Sequence, residues 1–184
     1  GDDGARLHFW GPERCSRRSE TRLLLDVAVG LRTTGPHTDE HRAPYVALKS
    51  TGLSELAEAY GMRRGSKVVT DEIERGSFEF ARGFLRGWMD ADGSVQGSQQ
   101  KGVSVRLASS DLGSLERAQR MLQRLGVMST IYKERRPAGV RRLPDGRGGL
   151  RDYECLADHE LVISGANLAR FAEREFLPCH TGNP

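Results

Sequence analysis

The segment Ser77-Phe78-Glu79-Phe80-Ala81-Arg82-Gly83-Phe84-Leu85-Arg86-Gly87-Trp88-Met89-Asp90-Ala91-Asp92-Gly93 reads as a helix with an unusual surface and an unusual end. Ser77 is a good N-cap, Glu79 places an acid in the first turn, and Gly93 supplies a stop, so a helix is expected over 77–92. One face holds Phe80, Phe84 and Trp88, and another holds Gly83, Gly87 and Ala91 at i, i+4 spacing. Each interior glycine costs about 1 kcal/mol against alanine. Such a stripe makes sense where a second helix, or the domain's own sheet, packs against it closely. Asp90 and Asp92 stand at the negative end of the helix dipole, which calls for a positive partner. One acid there is an ordinary cap satisfied by solvent; two in Asp-Ala-Asp-Gly point to a divalent cation. An EF-hand is excluded, because counting from Asp90 puts Val95 where glycine is needed and Lys101 where glutamate is needed.

Around this helix, short alternating runs such as Val103-Ser104-Val105-Arg106-Leu107 read as half-buried strands. Helices are expected at 17–30, 52–61, 77–92, 111–125 and 165–176, and strands at 5–10, 44–49, 94–96, 103–109, 129–135 and 153–163. The fold class is therefore α+β (mixed α/β). Residues 137–152, PAGVRRLPDGRGGLRD, lack periodicity and predict an exposed loop or the tip of an extended hairpin.

The chain also aligns with itself. Gly4 to Glu13 lies over Gly102 to Asp111, in both cases a turn glycine, an alternating strand and an acidic helix start. Farther on, Val46-Ala47-Leu48-Lys49-Ser50 lies over Leu161-Val162-Ile163-Ser164-Gly165. The offset grows between the two blocks by about the length of the 137–152 segment. Each half is then one strand–helix–strand–helix unit, residues 1–76 forming the first and 77–184 the second, which carries the insertion.

Composition bounds the partners. The chain has 184 residues with 37% hydrophobic and 29% charged, which excludes disorder and collagen, and it has no run long enough for a membrane helix. Nothing at its start has the layout of a signal peptide, so a soluble intracellular protein is expected, cytoplasmic and associated with the nucleoid when on DNA. Cys15, Cys155 and Cys179 are odd in number and far apart, which argues against a disulfide framework or structural zinc. With 28 basic against 25 acidic residues the net charge is only +3. Only Lys49, Lys67, Lys101 and Lys133 are lysines, and the remaining basic residues are arginines, suited to phosphate and guanine. A GC-rich genome would give the same bias.

Leu85-Arg86-Gly87-Trp88-Met89-Asp90-Ala91-Asp92-Gly93 resembles the signature of the LAGLIDADG (DOD-type) homing endonucleases, with identity at Leu85, Gly87, Asp90, Ala91, Asp92 and Gly93. Lys67-Val68-Val69-Thr70-Asp71-Glu72-Ile73 before it, and Ser94, Val95 and 103–111 after it, are similar to endonuclease domains embedded in inteins. The resemblance implies two αββαββα halves related as a pseudo-two-fold repeat, whose antiparallel sheets grip double-stranded DNA. It implies signature helices packed through Gly83, Gly87 and Ala91. It also implies Mg²⁺ bound by Asp92 at a scissile phosphodiester, where a metal can generate hydroxide and stabilise the leaving oxygen. Asp90 and Gly93 then support the helix end, and Lys67 matches an active-site lysine, although Thr70 stands where the family often has proline.

Alternation nominates DNA-contacting residues. With Val103, Val105 and Leu107 turned to the core, Ser104 and Arg106 face the groove, and by repeat so do Arg6 and His8. Tyr45, Lys49, Lys101, Lys133 and Arg135 are candidates on neighbouring strands and turns, and Arg141 and Arg142 in the 137–152 segment. The repeat places the first-half equivalent of Asp92 upstream of Gly1, so the chain reads as truncated, lacking its first signature helix, and weakly active by itself. In the competing reading Gly1-Asp2-Asp3-Gly4 is the tail of that signature, with Asp2 or Asp3 as the second metal ligand. The packing partner is the missing helix or a second copy. No splice-junction residues are visible. An intron-encoded endonuclease or maturase, or an inactive DNA-binding module with this fold, remains open beside the intein endonuclease.

Overall fold

The structure is a computed structural model that describes residues 5–10, 21–28, 30–34, 45–63, 65–98, 100–145 and 148–173. The chain divides into two compact units, Gly1–Lys67 and Val68–Pro184. The expected division fell between 76 and 77; residues 69–76 instead pack with the second unit, where Ile73 and Val69 are buried.

In the second unit, strand β4 (Gly93–Ser98) follows helix α3 (Phe78–Asp92) directly and turns through Gly102 (φ +80°) into β5 (Gly102–Ser109). Helix α4 (Leu112–Arg124), strand β6 (Thr130–Arg136), strand β9 (Asp158–Ser164) and helix α5 (Ala166–Glu173) complete it. The four strands form one antiparallel sheet in the order β4-β5-β9-β6. This is the expected αββαββα plan. Ser77 Oγ accepts from the Phe80 N–H at 3.2 Å and starts α3. Leu85 and Met89 of α3, Leu115, Met121 and Leu122 of α4, Val105 and Leu107 of β5, Leu161 and Ile163 of β9 and Phe171 of α5 are fully or nearly fully buried. Full burial of such side chains stabilises by about 1.5–3 kcal/mol each, so this apolar layer is what fixes the helices to the sheet.

A short helix, α2 (Asp71–Glu74), was not expected from the sequence. It is strapped to α4: Arg117 bonds Asp71 at 2.8 Å, Arg120 grips Glu74 with two bonds, and the buried Val69 N–H donates to Ser114 Oγ at 2.8 Å.

The first unit holds β1 (Ala5–Trp10), a π-helical turn (Leu24–Ala28), β2 (Thr33–Thr34), β3 (Tyr45–Ser50) and helix α1 (Thr51–Ala59). Its antiparallel strand order, β1-β3-β2, repeats the β5-β9-β6 order of the second unit. Registers agree as well. Leu7 lies opposite Leu48 and Val105 opposite Ile163; Arg6 opposite Lys49 and Ser104 opposite Ser164; His8 opposite Ala47 and Arg106 opposite Val162. The two alignments of the chain on itself convert each first pair into the second.

Two strands replace the expected single strand over 153–163. Residues of the 137–152 segment form β7 (Gly139–Pro144), which pairs antiparallel with β8 (Leu150–Cys155) as a separate two-stranded ribbon. Its turn is held by Asp145 and Gly149, whose backbone bond is 3.0 Å and whose Gly149 N–H also donates to the Asp145 carboxylate at 2.9 Å.

Candidate nucleic-acid interface

Pairing register decides which side chains share the face of the sheet turned away from α4. Ser94 and Gln96 of β4, Ser104, Arg106 and Ala108 of β5, Glu160, Val162 and Ser164 of β9, and Thr130 and Tyr132 of β6 stand opposite one another, and opposed residues share a face. This face is polar, whereas the other carries the core. It forms an open groove of about 530 Å³ lined by Gln96, Lys101, Ser104, Arg106, Tyr132 and Arg135 among others.

The groove side chains are tied into one network. Ser104 is buried, donates to the Gln96 carbonyl at 3.3 Å and accepts from Arg106 Nε at 2.9 Å. Arg106 Nη1 donates to Glu160 at 3.1 Å, and Arg135 Nε lies 3.4 Å from the same carboxylate oxygen. The Arg135 guanidinium also sits over the Tyr132 ring, 5.5 Å from its centroid. Arg106 lines this groove, and Ser104 lies behind it as a support. Val103, expected in the core, is 40% exposed at the groove's rim. It pairs only with Gly97, next to the turn of the β4–β5 hairpin and beyond the first β5–β9 pair at Ser104.

Lys133 and Arg135 were nominated together but lie on opposite sides. The β6–β9 register shifts between Tyr132 and Arg136, and Glu134 adopts φ +50°. This irregularity changes the phase of the strand, as bulges do, and puts Arg135 on the face of Tyr132. Lys133 is left toward α4, with Nζ 3.4 Å from Glu116. In the first unit, β1 and β3 present Arg6 and His8 on one face with Lys49 and Tyr45; Arg6 and His8 are exposed, and His8 stacks on Tyr45 at 4.7 Å. On the ribbon, Arg141 bonds Asp158 at 3.4 Å and the Pro137 carbonyl at 2.8 Å, while Arg142 is exposed.

Asp92 is the last residue of α3, immediately before the edge strand of the sheet. It is exposed, and its Oδ2 accepts from Trp88 Nε1 at 3.1 Å. Asp90, on a different side of the same turn, is also exposed. Gly93 is required by close approach: its N–H donates to the Met89 carbonyl, and a Cβ would collide with that oxygen. Gly83, Gly87 and Ala91 are exposed, and a Cβ on Gly83 or Gly87 would meet no atom within 4 Å. The buried stripe of α3 is Ala81, Leu85 and Met89, two positions off the small-residue stripe and so on the opposite side of the helix. Lys67 is exposed at the end of the first unit, and Asp3 lies outside the described residues.

A hard divalent cation takes about six oxygen ligands. Among the described residues no three His, Cys, Asp or Glu side chains come together to hold a metal ion. Asp92 is one exposed carboxylate, and the described residues do not complete a Mg²⁺ centre around it. The sequence reading missed Glu160 and Tyr132, since a lone acid and a lone aromatic on an alternating strand look like any solvated face. Among the described residues no helix is long and apolar enough to cross a membrane.

Residues 79–174 match the LAGLIDADG-like domain family, over more than half of the chain. The chain is 30% identical over 122 residues to the ribonucleoside-diphosphate reductase NrdEB subunit alpha of Bacillus subtilis (strain 168), which covers 65% of this chain and 11% of that protein. It is 33% identical over 102 residues to the ribonucleoside-diphosphate reductase large subunit of Invertebrate iridescent virus 6, covering 54% and 10%. The chain thus spans about a tenth of the length of these relatives. In fold it is similar to the homing endonuclease I-DmoI in complex with DNA and Mn, with a TM-score of 0.60 at 15% identity over 98% of this chain and 82% of that one. Mesophilic variants of I-DmoI give a TM-score of 0.57, again at 15% identity, over 96% and 76%.

Proposed function

This chain belongs to the LAGLIDADG-like domain family, and on that premise we propose that it is the DNA-gripping and nuclease portion of a site-specific homing endonuclease. The observation that carries the reading is the junction of α3 with the sheet. The signature helix ends in Asp92 and passes without a linker into the edge strand of a groove that carries Lys101, Arg106 and Arg135. A duplex that follows the sheet from that groove along β4 would bring a phosphate to Asp92, at the junction of the signature helix with the strand. Phosphate contacts from the basic residues would supply affinity, and base contacts from the strands the selectivity.

The remaining parts of the proposal rest on likeness. I-DmoI has been crystallised with DNA and with Mn or Ca, which supports a divalent cation for this chain, Mg²⁺ being the one implied by the signature. Asp92 would be one of its ligands, and a carboxylate outside the described residues the other. The exposed stripe of Gly83, Gly87 and Ala91 would receive a second signature helix. The role of Lys67 rests on the resemblance of 67–73 alone. An endonuclease fold that matches only about a tenth of a reductase polypeptide supports a domain carried as an insert within a host protein, as an intein endonuclease is.

The test begins with the chain as given and a pool of duplexes randomised in their centre. Selection should enrich a defined motif, with binding that persists in EDTA. The natural protein containing this segment should then cleave that motif only with Mg²⁺ or Mn²⁺, and Asp92→Asn should abolish cleavage with duplex affinity retained. Binding without cleavage by the natural protein would leave the DNA-binding module as the function.

A further inference from the structure

Glu160 is an acid paired with both arginines that line the proposed DNA groove, Arg106 and Arg135. A carboxylate in a phosphate-binding surface weakens binding to any duplex, at short range and with little screening. Its place is nonetheless well defined: it stands on β9 opposite Tyr132, its side chain is only 14% exposed, and it lies between two guanidiniums, 3.1 Å from Arg106 and 3.4 Å from Arg135. Burial of this degree with two cationic partners is a built arrangement and not a solvated surface charge.

The chemistry of Arg106 shows what the arrangement does. A guanidinium has five N–H donors in a fixed plane. Ser104 takes Nε–H and Glu160 takes one Nη1–H. These two anchors fix the plane and leave one Nη1–H and the two Nη2–H donors. A neighbouring pair of such donors matches the O6 and N7 acceptors of guanine. The support extends further back, because Ser104 is itself held by the Gln96 carbonyl. Arg135, by contrast, is 51% exposed, and its contacts are Glu160 and the face of Tyr132.

We propose that Glu160 is a positioning residue for sequence readout: it locks Arg106 for a bidentate contact with guanine and lowers the affinity of the groove for duplex of any sequence. Specificity is a difference between affinities, and one carboxylate serves both sides of it. The proposal rests on the reading of this sheet face as a duplex-binding surface.

The experiment compares the wild-type chain with Glu160→Gln and Arg106→Lys in selection from the randomised duplex pool, followed by salt titration on a scrambled duplex. Glu160→Gln keeps the size of the side chain and removes its charge. It should bind the scrambled duplex several-fold more tightly, and lose at least tenfold of the preference for guanine at one or two motif positions. Arg106→Lys keeps a positive charge without the fork, and should lose preference at those same positions. A merely structural role would move the melting temperature and weaken all duplexes alike, and that result overturns the proposal. So does a Glu160→Gln motif identical to that of the wild type. If Glu160→Gln does not fold, unchanged preference in Arg106→Lys overturns it instead. If the wild-type chain enriches no motif, the duplex-binding reading itself fails, and this one with it.

Discussion

The indole Nε1 of Trp88 donates to Oδ2 of Asp92 across 3.1 Å, one helical turn apart on the exposed end of α3. A hydrogen bond to a charged acceptor fixes which way the carboxylate turns at the end of the helix. In the proposed nuclease this orientation bears on activity far more than on folding, since the contact is solvent-exposed. Trp88→Phe should change the melting temperature little, leave duplex affinity intact, and slow cleavage by the natural protein about tenfold, in line with the cost of misplacing a reacting group. Equal cleavage rates would show that the indole does not position Asp92.

The small-residue stripe of α3 gives a test with opposite signs. A methyl on Gly83 or Gly87 meets open space, so Gly87→Ala should stabilise the chain by about 1 kcal/mol through helix propensity. A second signature helix packed there needs the space that the methyl takes. Gly87→Leu should therefore leave the fold intact in thermal melts and abolish cleavage by the natural protein. Full cleavage by Gly87→Leu would remove helix packing as the role of the stripe.

The parts of this fold that bury a face were legible in the sequence. The apolar period of α4 and the alternation of β5 each reflect one side against the core, whereas the buried stripe of α3, Ala81, Leu85 and Met89, is neither of the two faces that its sequence singled out. The two self-alignments coincide with the observed pairing of β1 with β3 and of β5 with β9, and a slip of one residue in either pair would turn core side chains to solvent. The ribbon β7–β8 was legible only as one of two alternatives, an extended hairpin beside an exposed loop, and its strand bounds were not, because both its faces are largely exposed, with Val140, Leu143 and Leu150 in solvent, and no alternation is imposed on it. The phase change at Glu134 was hidden too. Nothing in Lys133-Glu134-Arg135 announces the irregularity that sends Lys133 to α4 and Arg135 to the groove. Site residues whose role depends on a pairwise contact, as with Glu160 between two arginines, leave no one-dimensional trace.

The strap between residues 69–76 and α4 hangs on one buried bond. The Val69 N–H and Ser114 Oγ are paired at 2.8 Å, and both residues are almost fully buried. Ser114→Ala leaves a buried backbone donor without its partner, which costs about 1–3 kcal/mol. Urea unfolding should show that loss with an unchanged slope. A difference under about 0.5 kcal/mol would mean that water replaces the hydroxyl.

The same strap makes stability depend on acid. Hydrogen bonding and charge from Arg117 hold Asp71 below the usual carboxylate range, and the Arg120 guanidinium does the same for Glu74. In the first unit, hydrogen bonds from Thr33 lower Asp26. A lowered folded pKa means that the stabilisation is complete above the unfolded value of about 4 and is lost as pH falls through the folded value. The melting temperature should thus be flat from about pH 7 to 5 and fall below about pH 4. Arg117→Ala with Arg120→Ala should lower the plateau and flatten the acid limb. An acid limb unchanged in that double variant would place the titrating groups elsewhere.

The ribbon supplies the last test, because its two faces differ in charge. Arg141 and Arg151 lie on one face with Tyr153, over whose ring Arg151 sits at 5.9 Å, whereas Arg142 shares the other face with Asp152 and Glu154. Arg141 is already engaged by Asp158. If the ribbon extends the DNA contact, Arg151 is the residue that meets a phosphate, and each such contact contributes a slope of about −0.9 to the dependence of log affinity on log salt. Arg151→Ala should reduce the salt slope by about one and weaken every duplex alike. Arg142→Ala, whose charge is balanced on its own face, should change the slope far less. Equal, small effects of both variants would show that the ribbon stands clear of the duplex.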